Sequence, residues 1–456
     1  MDTTELISYN PATLVEIGRI AATTTAELDS MIESAHDAFL GWRHDRNLRK
    51  GLLAACSYEL MRMSGEIAPL LTTEQGKPLA EAASEVWTAA KSFAESARIE
   101  WEPESLAAHT DVRTAFIEVH PLGVVGAIVP WNFPIFLMAA KVSAALAAGN
   151  TVVVKPAESV SLVVRKVVDV LAGVLPAGVI SIAVGGPDLG RALVNHPKVR
   201  KVSFTGSTTV GKQIMRQASD TVTPVTLELG GNDPAILLAD ADIDRAATAL
   251  ARGAFFNAGQ MCIAPKRVYV PTALVDRFCQ AFADRMDDLS VGDGLDPATR
   301  VGPLHNVRQL EIVSHVLEKA IAGGATVVRG GDRGTDLPGY FLAPTLVRDI
   351  DDSAELVALE QFGPVLPVVA YDDVDSVLSS LDNQEFGLGA SVWGNDVENA
   401  TDVALRIDAG TVWVNQHNAL DVGLPFGGVK SSGFGREGGA AGVEDFLQTR
   451  VIDIKL

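Results

Sequence analysis

The chain has 456 residues, 47% hydrophobic and 21% charged, with a net charge of -20. That length suits about three domains, and the composition excludes a disordered chain. The acid excess argues against a nucleic-acid or anionic-membrane partner, and any anionic cofactor would need helix N-termini or single lysines to hold it.

The start, Met1-Asp2-Thr3-Thr4-Glu5, is acidic and lacks the cationic opening of a signal peptide. Amphipathic patterning predicts helices over Glu27 to Trp42, Arg46 to Leu70 and Leu79 to Trp101, with a break at Gly76-Lys77-Pro78. Arg113 to His120 alternates and reads as an exposed hairpin strand. Pro121 to Ala140 is a charge-free stretch of membrane-span length, but Pro130, Asn132 and Pro134 interrupt it. It reads as strand, sharp loop and helix rather than a membrane span.

Strands are predicted at Leu122–Val129, Thr151–Val154, Val179–Val184 and Val199–Thr205, with helices at Ile135–Ala148, Ser159 to about Leu175 and Asp188–Asn195. That alternation implies a parallel, doubly wound sheet, whose ligands bind beyond the carboxyl ends of the strands. After Glu228 come helices near Ile243–Asn257, Leu274–Leu289 and Val307–Ala322, and strands near Arg267–Val270, Val365–Val369, Leu388–Trp393 and Thr411–Val414. They suggest a second α/β domain. The tail Arg450–Leu456 alternates again and suits pairing with Arg113–His120 or with another subunit's sheet edge.

Cys56, Cys262 and Cys279 contain no CxxC pair, so neither a disulfide framework nor a zinc site is expected, and a reducing cytoplasm fits. Cys262 follows Asn257-Ala258-Gly259-Gln260-Met261, a small-residue turn before a strand, which suits a reactive thiolate. A buried apolar cysteine is the alternative reading. Glu228 is a lone acid in an apolar run ending at Gly230-Gly231. Burial would raise its pKa and suit a general base, or it could be a core glutamate paired with a lysine. Glu360, in Glu360-Gln361-Phe362-Gly363-Pro364, has the same ambiguity.

No GxGxxG follows Leu122–Val129, where the loop is Pro130-Trp131-Asn132-Phe133-Pro134. A dinucleotide could instead dock at Gly206-Ser207, where a strand ends and a helix begins, although an ordinary capped helix reads the same way. Lys155 and Glu158 stand at the end of the second strand, where a ribose would lie; a surface ion pair is the other reading. An acid there favours NAD over NADP. The long glycine-rich stretch Pro425 to Glu437 suggests backbone packed against a ligand or another segment.

Together these stretches, with Glu74-Gln75-Gly76-Lys77-Pro78, Glu228-Leu229-Gly230-Gly231 and Pro425-Phe426-Gly427-Gly428, resemble the aldehyde dehydrogenase superfamily over nearly the whole chain. The resemblance implies that fold: an NAD-binding domain (1–106 and 121–229), a catalytic domain (230–440) and an oligomerisation element (107–120 and 441–456). It also implies a homodimer or homotetramer. Cys262 would attack the aldehyde, Asn132 would hold the oxyanion, and Glu228 would activate water against the thioester. Trp131, Lys155, Glu158, Gly206, Ser207, Glu360 and Phe362 would bind the cofactor.

Succinate-semialdehyde members usually carry an arginine six residues before the cysteine and a second one upstream; here those positions are Phe256 and Ala140. The expected pocket wall is Phe133, Leu137, Phe256, Met261, Leu420 and Phe426, which points to an uncharged aliphatic or aromatic aldehyde. The alternatives are a succinate-semialdehyde-type enzyme, or a CoA-acylating semialdehyde dehydrogenase, which typically lacks the acid found here at Glu228. A non-catalytic relative would lack Cys262, Asn132 or Glu228. All three are present.

Overall fold

The computed structural model describes residues 5–102 and 104–456; the acidic start at residues 1–4 lies outside the described residues. A six-stranded sheet runs Gly433–Phe434, Val225–Glu228, Val199–Thr205, Val124–Ile128, Thr151–Lys155, Ile180–Ile182. All its neighbours pair in parallel except the Gly433–Phe434 edge. A seven-stranded sheet runs Thr326–Arg329, Thr345–Ile350, Val365–Tyr371, Arg267–Pro271, Pro234–Leu237, Gly389–Trp393, Thr411–Val414. There only the Thr326–Arg329 edge is antiparallel. Each sheet is covered by helices through its own apolar cores.

The third sheet is antiparallel, with Arg113–Pro121 between Glu104–Thr110 and Leu447–Lys455. The tail pairs with its own chain from Leu447 opposite Pro121 to Lys455 opposite Arg113. Of the two pairings open to it, the intrachain one is made, and its outer edge remains unpaired among the described residues.

Several expected boundaries shift for local reasons. The helix expected from Arg46 to Leu70 is two, Arg46–Arg62 and Ser64–Gln75, because Met63 leaves the helical region at φ -88, ψ 0. Ser64-Gly65 are weak helix formers, and Pro69 offers no amide proton. The second helix ends at Gly76, whose φ of 106 is left-handed. The next helix stops at Ser96 rather than Trp101, and beyond it the Arg46 guanidinium donates to the Trp101 carbonyl at 2.7 Å. The hairpin Glu5–Tyr9/Glu16–Ala21 and the strands Thr326–Arg329 and Thr345–Ile350 had no clear alternation to announce them.

The apolar stretch 121–140 is strand, loop and helix: Val124–Ile128, a bend, then Pro134–Ala148 closed by Gly149 in the left-handed region. No helix among the described residues is long and apolar enough to cross a membrane. The glycine-rich stretch after Pro425 packs on other segments. Val429–Lys430 pairs with Phe386–Gly387, and Gly433–Phe434 pairs with Leu227 and Glu228.

Candidate active site

The helix Ile243–Phe255 ends in a turn that leads to Cys262. Asn257 and Ala258 both take left-handed backbone angles, φ 50 and φ 53, which L-residues adopt at a cost of about 1–2 kcal/mol each. The turn is held from several sides. Asn257 N–H donates to Glu81 at 2.9 Å, the Gln260 side chain donates to the Asn257 carbonyl at 2.9 Å, and Lys266 Nζ donates to the Gly259 carbonyl at 2.9 Å. Cys262 itself is half-buried, whereas Cys56 and Cys279 are buried in cores. Gly231 must be glycine because a Cβ there would stand 2.7 Å from the Cys262 carbonyl.

Asn132 lies in the bend before Pro134–Ala148, 5% exposed. Its side-chain amide donates to the Gln260 carbonyl at 3.1 Å, two residues from Cys262. Its own carbonyl accepts from Lys77 Nζ at 2.7 Å and from Asn257 Nδ2 at 3.0 Å.

Glu228 ends its strand, 4% exposed, and neither carboxyl oxygen has a hydrogen-bond partner among the described residues. A Cβ at Gly427 would stand 2.8 Å from Glu228 Oε1, so glycine lets that backbone close over the carboxyl. Burial first, and the Glu437 carboxylate second, push the Glu228 pKa well above the ordinary range. Glu437 pairs with buried Lys141, whose ammonium also donates to Thr205 at 2.6 Å. Burial also raises the Cys262 thiol, helped by the charges of Glu360, Asp233 and Glu228 and opposed by Lys266.

Of the residues expected at a dinucleotide, Trp131, Lys155, Glu158, Gly206 and Ser207 end or follow strands of the first sheet, whereas Glu360 and Phe362 precede Val365–Tyr371 of the second. Lys155 is buried, and burial lowers its pKa; its ammonium donates to the Pro156 carbonyl at 3.1 Å without a carboxylate ion pair among the described residues. Glu158 is exposed, in a short turn beside Gly186, where a Cβ would stand 3.0 Å from its carboxyl. Ser207 caps the helix Thr208–Ser219 by accepting from Val210 N–H at 3.4 Å. The Gly206 amide donates to the Glu228 carbonyl at 3.0 Å. The amides of Ser207, Thr208 and Thr209 have no partner among the described residues. Glu360 accepts from Gly231 N–H at 3.2 Å and is raised to about 7 by burial. Trp131 meets Phe362 edge-on at 5.6 Å and stacks on His305 at 4.7 Å. An unpaired buried cation, three open amides and an exposed acid fit a dinucleotide.

Cys262 opens on a cavity of about 280 Å³. Phe133, Leu137, Phe256, Met261, Leu420 and Phe426 all line it, and the rings of Phe133 and Phe256 stack at 6.0 Å. Sequence reasoning did not single out Glu81, Lys91, Asp421 and Glu437, which also line it. Nor did it single out Lys77, Asn257, His305 or Lys141. A lone lysine in an apolar helix was the available signal for Lys141, since a buried ammonium needs a partner.

Two mostly parallel sheets covered by helices, with a half-buried free cysteine on a cavity, define an α/β fold with a candidate site at Cys262. The model of the aldehyde dehydrogenase family matches residues 1–452. The chain is 39% identical to a "Probable succinate-semialdehyde dehydrogenase", NADP(+)-dependent by its name, from Sinorhizobium fredii, over 97% of this chain and 91% of that protein. It is 37% identical to phenylacetaldehyde dehydrogenase of Pseudomonas fluorescens, over 98% of this chain and 92% of that one. An NADP-dependent enzyme of E. coli superposes with a TM-score of 0.95 at 34% identity, covering 99% of this chain and 95% of that one. The chain belongs to the aldehyde dehydrogenase family, whose members are oxidoreductases acting on aldehydes with NAD(P).

Proposed function

We propose that the chain oxidises an uncharged aliphatic or aromatic aldehyde to its carboxylic acid, with NAD as the preferred acceptor. The observation that carries this reading is the apolar cavity ending at Cys262. Residues 1–106 and 121–229 would hold the dinucleotide and 230–440 the nucleophile, while 107–120 and 441–456 would form a homo-oligomer contact.

In this reading Cys262, once deprotonated, adds to the carbonyl carbon, and the oxyanion forms against the Asn132 amide and the Cys262 backbone N–H. A nicotinamide held beside Trp131 and Phe362 would supply the acceptor for the hydride of this carbon. Glu228 takes a proton from water, the water oxygen adds to the thioester, and the C–S bond breaks to give the acid and the Cys262 thiolate. Glu437 and Lys141 tune the Glu228 carboxyl. Lys155, Glu158, Gly206 and Ser207 hold the adenosine ribose and diphosphate, Glu360 the nicotinamide ribose, and Trp131 and Phe362 wall the nicotinamide site.

A second reading, a semialdehyde substrate, has one specific support besides the S. fredii relative: Lys91 lines the cavity, 3.6 Å from Asp421. A panel of aromatic, aliphatic and ω-carboxylated aldehydes, read as kcat/KM with NAD and with NADP, tests both. Higher kcat/KM for the carboxylated members, lost in Lys91→Met, would overturn the uncharged reading.

A further inference from the structure

The helix Leu79–Ser96 carries Glu81 and Glu85, one turn apart on the face turned to the catalytic loop. Glu85 holds the Asn132 side. It accepts from Ile135 N–H at 2.8 Å and Phe136 N–H at 3.2 Å, and it pairs with Lys77, which in turn holds the Asn132 carbonyl at 2.7 Å. Glu81 holds the other side by accepting from Asn257 N–H at 2.9 Å. That amide has no other partner among the described residues. Asn257 completes the circle: its side chain donates to the Asn132 carbonyl at 3.0 Å and to the Gln260 carbonyl at 3.2 Å. The left-handed pair Asn257-Ala258 is a conformation that two successive L-residues keep only when their surroundings impose it.

We propose that Glu81 is a positioning residue for the nucleophile: by clamping the Asn257 amide it sets the left-handed turn that delivers Cys262 to the Asn132 amide. The proposal rests on Cys262 being the nucleophile and Asn132 the oxyanion donor. Because the clamp needs an acceptor oxygen and not a charge, glutamine serves in place of glutamate, and a side chain without an oxygen at that reach does not.

The test compares Glu81→Ala and Glu81→Gln in the full-length enzyme with NAD. Two rates are read: the first-turnover burst of NADH at saturating aldehyde, and alkylation of Cys262 by iodoacetamide, located by mass spectrometry. Glu81→Ala is expected to slow both by about tenfold or more, the scale of a slightly misplaced reacting group. Glu81→Gln is expected to restore both to within about threefold of the wild type, a retained hydrogen bond being the difference. Should the alanine variant not fold, Glu81→Asp, which withdraws the oxygen by one methylene, takes its place with the same expectation. Unchanged rates in Glu81→Ala, or a folded Glu81→Gln as slow as Glu81→Ala, would overturn the clamp. Cys262→Ser is the reference: a burst surviving in it overturns the nucleophile itself. No burst there, with a normal burst in Glu81→Ala, rejects only the role of Glu81.

Discussion

The side-chain amide of Asn132 donates one proton to the carbonyl oxygen of Gln260 at 3.1 Å, two residues before Cys262. The NH2 group has a second proton, and this contact fixes where it points. Asn132→Ala should therefore lower kcat by about 10²–10³, the usual cost of one oxyanion donor. Steady-state kinetics would check it; a kcat within about threefold of the wild type would remove the amide from the transition state.

Glu228 has two buried oxygens without partners among the described residues, so its carboxyl is committed to no structural bond. Glu228→Gln keeps the volume and removes the base. The expected outcome is a stoichiometric burst of NADH followed by slow turnover, seen by stopped flow. Unchanged steady-state turnover would dismiss the base role.

The Cys262 thiol is raised by burial and then by the charge of Glu360. Its alkylation rate should climb with pH through and beyond the ordinary cysteine value of about 8.5. Glu360→Gln should move that climb to lower pH, since it removes the largest negative neighbour. A rate already flat between about pH 6 and 8 would show a thiolate at rest.

The exposed carboxylate of Glu158, at the end of the strand Thr151–Lys155, should repel a ribose 2′-phosphate. NAD should give a KM at least about tenfold below that of NADP, and Glu158→Ala should narrow the ratio. Equal KM values in the wild type would contradict this and side with the NADP-dependent relatives.

Glu74 accepts from Ser8 at 2.7 Å and from the amides of Leu162 and Val163 at 3.0 and 2.8 Å, yet burial raises it to about 7. The folded pKa lies above the unfolded one, so the folded state keeps its proton longer. Stability is then fullest below the unfolded value, near 4.5, and is lost as pH rises to about 7. Glu74→Gln has no proton to lose. The melting temperature of the wild type should fall relative to this variant between pH 5 and 8, by an amount equivalent to about 2–3 kcal/mol. A constant difference would mean that the carboxyl is ionised throughout.

What was readable in the chain follows from range. The Leu122–Thr205 alternation and the lone acid Glu228 are local patterns, and local patterns survive in a sequence. The six apolar residues of the cavity wall were found through the resemblance, from stretches around 133, 256 and 420 that no periodicity connects. Lys141 with Glu437 and Glu81 with Asn257 are single polar contacts between distant segments, with no period to betray them. His305 against Trp131 is the same case, because a ring stack needs two positions and announces neither.

Ala258 holds φ 53 where glycine would rest without penalty. Replacing it by glycine should make the molecule harder to melt, by about 1 kcal/mol, while giving its thiol more freedom to wander. Durability and turnover would then pull in opposite directions at one methyl group. A chain selected for long life at high temperature, and one selected for speed, should disagree about this residue first.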